Sequence, residues 1–287
     1  MKIAIGTYDH TQALKDGSVS LPGLAFEFEE VSPITRAFRP MATQQAYDMS
    51  EMALATYMLA RVYDKPIVGL PIILVRSSLL GGLVTATGSP ITDPRELNGK
   101  ILGVRSYSQT SGVWVRGILQ EAFGVDLKSL KWVTFEGAHL DEYTDPSNVT
   151  RAPEGANIAD MVKDGSLAAA IGVPLADGLR TLVPDAAAAE ATWASKAGVR
   201  TVNHILAVKR SLVDADPRLP AKLTDLFGRA RGGDGAAVPP MGVEPNRPAF
   251  ELMARFCYEQ GITPRRLSIE EMFPTEVATA RKGQLSS

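Results

Sequence analysis

The stretch KILGVRSYSQTSGVWVRGILQEAFG, residues 100–124, decides how this chain folds. It opens on a short apolar run, 100–104, entered from Asn98-Gly99, which reads as a buried strand. Its second half sets Val113, Trp114, Ile118, Leu119, Ala122 and Phe123 at three- and four-residue spacings, the stripe of a helix packed on one face, and Gly124 supplies a left-handed stop. A strand handing over to a helix is the repeating unit of α/β proteins. Between the two lie Arg105, Ser106, Tyr107, Ser108, Gln109, Thr110 and Ser111. The first turn of a helix carries N–H groups without intrahelical partners and the positive end of its dipole, so a carboxylate or phosphate fits there beside Arg105 and the hydroxyls. The same residues also suit a plainer use, in which Ser108, Thr110 or Ser111 caps the helix and Arg105 is solvated.

Strands and helices alternate on both sides of this junction. Upstream, 2–6 and 25–31 read as strands, 34–45 as a helix that Pro40 must bend or interrupt, 47–51 as a short segment leading into a helix over 53–63, and 67–75 and 83–87 as further strands. Asp93, Pro94 and Glu96 form a helix-start signature: an N-cap, a proline at the first helical position and a capping-box glutamate. Downstream, 130–135 reads as a strand and 136–155, rich in Asp, Pro, Gly, Asn and Thr, as a long loop of the kind compact domains keep over binding sites. A short helix (157–163), a strand (167–171) and an alanine-rich helix (185–196) follow. The run TVNHILAVKR from Thr201 is a last strand; after it the pattern is helical over 217–230, 247–260 and 269–273, with a Gly/Pro-rich turn at 232–240. An α/β first third, an α/β middle and a helical end imply an inserted lobe: residues 1–88 with 202–287 as lobe 1, and 89–201 as lobe 2.

Composition narrows the function. A chain of 287 residues, 45% hydrophobic, can bury a large core. Thirty Lys and Arg against 32 Asp and Glu leave a net charge of -2 with no basic block interleaved with aromatics, which argues against nucleic acid as a partner. No apolar run approaches the roughly 20 residues that cross a bilayer, and the N-terminal run is too short for a secretory signal, so a cytoplasmic, non-membrane protein is expected. The single cysteine, Cys257, excludes an internal disulfide and a thiolate cluster and is expected in the core. No P-loop, GxGxxG, GxSxG or HxxxH spacing occurs, so neither a nucleotide cofactor nor a metal is expected.

Among the three histidines, His204 lies beside Asn203 in the apolar run 202–208 at an expected lobe crossing, and histidine is the side chain best matched to proton transfer near neutral pH. His10 follows Tyr8 and Asp9 just after the first strand. Glu51 ends a short strand before a helix, where it serves either as a partly buried acid or as a helix-start carboxylate.

Taken together, Tyr47-Asp48-Met49-Ser50-Glu51-Met52, Tyr107-Ser108-Gln109-Thr110 with Val113-Trp114-Val115-Arg116-Gly117-Ile118-Leu119, Gly155-Ala156-Asn157-Ile158-Ala159-Asp160-Met161, Asn203-His204 and Gly242-Val243-Glu244-Pro245-Asn246-Arg247 resemble the 4,5-dihydroxyphthalate decarboxylase family, in order and over nearly the whole chain. That family looks like a cytoplasmic offshoot of the type II periplasmic solute-binding proteins. One departure stands out: where an aromatic-Arg-His sequence is expected, this chain has Val75-Arg76-Ser77. The resemblance implies a two-lobed type II periplasmic-binding-protein-like α/β fold, each lobe a mixed sheet flanked by helices and closing on a ligand at the hinge. It also implies a cofactor-independent decarboxylase of a hydroxylated aromatic acid. His204 and Glu51 would be the catalytic pair, and Arg76, Arg105, Tyr107, Thr110, Ser111, Trp114, Asn203, Tyr8 and His10 would bind a small aromatic or anionic carboxylate. A homo-oligomer is compatible with this reading. Fold analogy leaves two alternatives open: a small-anion solute-binding protein without chemistry, and another lyase or isomerase on the same scaffold.

Overall fold

The computed structural model describes residues 1–231 and 239–273. In chain order the elements are β1 (Lys2–Ala4), α1 (Asp9–Lys15), β2 (Glu27–Phe28), α2 (Phe38–Gln44), β3 (Met49–Ala53), α3 (Leu54–Val62), β4 (Ile67–Val75), β5 (Leu83–Ala86), β6 (Ile101–Val104), α4 (Thr110–Phe123), β7 (Lys131–Thr134), β8 (Val149–Arg151), α5 (Ile158–Lys163), β9 (Ala169–Ile171), β10 (Leu179–Thr181), α6 (Ala186–Ala197), β11 (His204–Lys209), α7 (Arg210–Ala215), α8 (Leu219–Ala230), α9 (Arg247–Glu259) and α10 (Ile269–Met272). The chain divides into two compact units. The first holds Met1–Arg76, Val202–Arg255 and the described residues from Arg265 onward; the second holds Ser77–Thr201 and Phe256–Pro264.

The first unit is built on a five-stranded mixed sheet in the order β2-β1-β3-β11-β4. β1 lies parallel to β2 and β3, whereas β11 runs antiparallel to both β3 and β4. All but the last residue of β4 are buried, which explains its nearly unbroken apolar run, and β3 is buried throughout although it carries Ser50 and Glu51. Ile3, Leu70, Ile72 and Leu206 of the sheet pack with Leu223, Leu226 and Phe227 of α8 in one core. The second unit carries a six-stranded sheet, β10-β5-β9-β6-β7-β8, in which β6 is parallel to β7 and β9. On it Val84 and Ala170 pack with Val162 of α5 and Leu167, while Trp114, Ile118 and Leu119 of α4 are fully buried.

Several expected boundaries move, each for a local reason. The first junction falls at Arg76/Ser77 instead of after Gly88, because β5 pairs with β9 and β10 and so belongs to the second sheet. Pro40 neither bends nor breaks α2: it is that helix's third residue, where its missing N–H falls in the first turn, after a separate 3-10 turn over Ile34–Ala37. The segment 136–155 is not wholly loop, since β8 adds to the edge of the second sheet, its pairing with β7 supplied from outside the segment. β10 and α7 were not expected at all. Ala122 is exposed and Phe123 half-buried, so the buried stripe of α4 ends at Leu119. Part of the turn expected at 232–240 lies outside the described residues.

Other local signals hold. Gly124 takes a left-handed φ of 69° at the end of α4. Asp93 accepts from Arg95 N–H at 2.8 Å, and Glu96 accepts from Asp93 N–H at 3.0 Å, the reciprocal capping box. Cys257 is fully buried, and burial pushes its thiol up to about 12. Among the described residues no helix is long and apolar enough to cross a membrane.

Candidate functional site

In the first unit, strand register brings the site together. Glu51 faces Leu206 across the β3–β11 ladder and His204 faces Ala53, so Glu51 and His204 are diagonal neighbours on one face of the sheet. Glu51 is wholly buried. Its Oε1 lies 2.6 Å from His204 Nδ1 and accepts a 2.8 Å hydrogen bond from the Tyr8 hydroxyl, while Oε2 accepts Gly6 N–H at 2.9 Å. Three donors converging on two oxygens suit the carboxylate form, and a carboxylate makes His204 Nδ1 the protonated nitrogen. Nε2 is then left for chemistry. The Phe38 ring meets the imidazole edge-on with centroids 5.0 Å apart, limiting its rotation. Glu51 is therefore neither a partly buried acid nor a helix-start carboxylate: it sits mid-strand as the orienting partner of a histidine.

Gly6 makes this possible. A Cβ there would lie 2.4 Å from Tyr8 Cζ and 2.4 Å from its hydroxyl, so only glycine lets the tyrosine fold back over the β1 end to reach Glu51. Burial and the neighbouring Glu51 carboxylate both raise the Tyr8 hydroxyl pKa, so it stays a donor. The Tyr8 ring stacks on His10, 5.3 Å between centroids and 10° from parallel. His10 Nε2 lies 3.0 Å from the Leu74 carbonyl and so carries the proton, leaving Nδ1 as an acceptor.

Burial, then the Arg231 charge, hold the His10 pKa below the ordinary histidine value. The folded protein prefers neutral His10, so below about pH 6.5 the unfolded chain binds more protons there and stability decreases as the pH drops. Thermal melts from pH 8 to 5 should show a shallower acid loss for His10→Asn than for the parent; equal slopes would remove His10 from the effect.

Arg76, half-buried at the end of β4, donates from Nη2 to Asn246 Oδ1. Asn246 is almost wholly buried, and its Nδ2 donates to the Pro240 and Gly242 carbonyls at 2.8 Å each. Asn203 is buried at the start of the strand run, its N–H donating to the Val75 carbonyl and its carbonyl accepting from Leu54 N–H. Leu74 and Val75 end β4 and Tyr8 follows the carboxyl end of β1, which runs in the same direction, the position where open α/β sheets bind ligands.

The second unit holds the other expected residues. The N-cap residue of α4 is Gln109, which makes no side-chain cap bond; Ser111 Oγ accepts from Gln109 Nε2 at 2.7 Å, and Ser106 and Ser108 hydroxyls face each other at 3.4 Å. The serine- or threonine-cap reading is thus overturned. Thr110 is buried in the first turn, and Arg105 stands beside it, 3.4 Å from Glu136 Oε2 and 3.4 Å from Gln109 Oε1. Trp114 turns away into the core, edge-on to Trp193 and Phe256 with ring centroids 6.3 and 5.9 Å away. It is a packing residue. Tyr107 is buried and carries the Arg116 guanidinium 4.0 Å above its ring.

Sequence reasoning missed Phe38, Asn246, Arg231 and Arg116. Only Arg116 left a legible signal, an arginine inside the apolar run VWVRGIL. Among the described residues no group of three His, Cys, Asp or Glu side chains is placed to hold a metal ion.

No protein-family model matches the chain. By fold it is similar to the periplasmic aliphatic sulphonate binding protein SsuA from Escherichia coli, with a TM-score of 0.55 at 12% identity over 95% of this chain and 90% of that one. The alkanesulfonate-binding protein SsuA from Xanthomonas axonopodis pv. citri compares at 0.52 and 11%, covering 95% and 97%. These likenesses define the class: an α/β protein of the two-lobed type II periplasmic-binding-protein fold. By sequence it is 28% identical over 253 residues to a 4,5-dihydroxyphthalate decarboxylase of Comamonas testosteroni, covering 80% of this chain and 74% of that protein. A second, from Pseudomonas putida, is 29% identical over 183 residues, covering 60% and 69%. These two likenesses support the 4,5-dihydroxyphthalate decarboxylase family.

Proposed function

We propose that this chain is a cytoplasmic, cofactor-independent carboxy-lyase acting on a hydroxylated aromatic acid resembling 4,5-dihydroxyphthalate. The observation that carries the reading is the 2.6 Å contact of His204 with a wholly buried Glu51, an imidazole held in one orientation with Nε2 free to move a proton. Loss of CO2 from an arene requires that the ring carbon be protonated before the carbon–carbon bond breaks. Imidazolium His204 delivers that proton; a ring hydroxyl, deprotonated or hydrogen-bonded, supplies the electron pair. The bond to the carboxylate then breaks, its electrons restore the ring, CO2 leaves, and the histidine regains a proton from the hydroxyl or solvent. His10 Nδ1 is an acceptor suited to the ring hydroxyl.

The residues of the second unit, Arg105, Tyr107, Thr110 and Ser111, serve the same substrate as an anion anchor in this proposal. A cation that binds a carboxylate stabilises it more than the neutral CO2 it would become, so the anchored carboxylate is the one retained. Replacing His204 by Gln should abolish CO2 release from dihydroxyphthalate while circular dichroism and melting stay those of the parent. Unchanged turnover would remove His204 from the chemistry. Tight binding across hydroxylated aromatic mono- and diacids with no CO2 release would instead establish a solute-binding protein.

A further inference from the structure

Arg116 lies in the second turn of α4 and is wholly buried, yet among the described residues no carboxylate pairs with it. Its Nε donates to Gln260 Oε1 at 2.7 Å and its Nη2 to the Tyr107 carbonyl at 2.7 Å, while the guanidinium stacks over the Tyr107 ring and lies 5.3 Å from the centre of the Trp132 ring. Among the described residues Nη1 has no hydrogen-bond partner. Asp145 is the one acid among the groups acting on Arg116, and burial pushes its own carboxyl upward. A Cβ on Gly112 would lie 3.1 Å from Nη1, so the unpartnered nitrogen is aimed at the first turn of α4, where the N-cap residue makes no side-chain cap bond. Burying a guanidinium without a counter-charge is costly, and the low dielectric around it lengthens the reach of its field.

We infer that Arg116 is the positioning residue of an anion subsite at the start of α4: its uncompensated charge adds to the helix dipole there and selects a carboxylate, while its bond to the Tyr107 carbonyl holds the 105–109 loop in place. This rests on the decarboxylase reading, in which that subsite takes the carboxylate the substrate retains.

The test is calorimetric titration with two probes, phthalate and the uncharged catechol, on the full chain. Arg116→Met removes the charge at similar length, and Arg116→Lys keeps the charge but loses the planar fork. Phthalate should bind at least about tenfold more weakly to the Met variant and within about threefold of wild type to the Lys variant, with catechol unchanged in both. Equal weakening of both probes in the Met variant, or phthalate affinity that the Met change leaves intact, overturns the inference. Should the Met variant fail to fold by circular dichroism, the Lys variant decides, a tenfold phthalate loss there being the overturning result. A wild type that binds neither probe and releases no CO2 from dihydroxyphthalate refutes the decarboxylase reading itself; turnover in wild type with no charge dependence at Arg116 refutes only the inference.

Discussion

Glu51→Gln is expected to lower CO2 release by about 10²–10⁴-fold, the span that a misplaced general acid or base commands. The amide keeps the shape of the carboxylate but presents an NH2 group where either Gly6 N–H or the Tyr8 and His204 donors now point. One arrangement leaves the backbone N–H of Gly6 unpaired; the other turns the His204 ring to its opposite tautomer and takes the proton from Nδ1. A buried donor left unpaired costs about 1–3 kcal/mol, so the variant should melt lower but still fold. Because Glu51 acts through His204, the double variant with His204→Gln should be no slower than His204→Gln alone. Single-turnover CO2 release and thermal melts decide it, and additive losses would show that the two residues work separately.

The largest stability effect is expected at Gly117→Ala in α4. The added Cβ would stand 2.1, 2.4 and 2.4 Å from three atoms of the Phe256 ring, which is itself buried and packed edge-on against Trp114. Alanine is the better helix former by about 1 kcal/mol, but a rigid ring in a filled core cannot step aside as a flexible chain end can. Overpacking of this kind costs about 1–3 kcal/mol or more, so the clash outweighs the gained propensity. Urea unfolding should show a lower midpoint with little change in slope. The double variant with Phe256→Leu, which withdraws the ring edge, should recover part of the loss. A variant as stable as the parent would place Phe256 away from Gly117.

Much of the local structure was legible in the sequence because its causes are local. The capping box at Asp93 and Glu96, the left-handed stop at Gly124, the buried run of β4 and the strand–helix junction at 100–124 each depend on residues within a turn or two of one another. Pro40 and β8 went astray for the complementary reason. Whether a proline falls in a helix's first turn depends on where the preceding 3-10 turn ends, and a three-residue edge strand exists only because β7 offers it a ladder.

The candidate site divides in the same way. By composition the sequence identified the polar turn before α4, and it singled out His204, Glu51, Tyr8 and His10 as chemistry-bearing residues near strand ends. What joined them was register: His204 and Glu51 are 153 positions apart and meet because β11 runs antiparallel beside β3 with Leu206 opposite Glu51. A one-residue slip would put the two side chains on opposite faces, since side chains alternate along a strand. Tertiary structure likewise decided that Trp114 is core and that Arg116 is buried without a carboxylate, because helical periodicity names the buried stripe but not the groups that meet it from elsewhere in the chain.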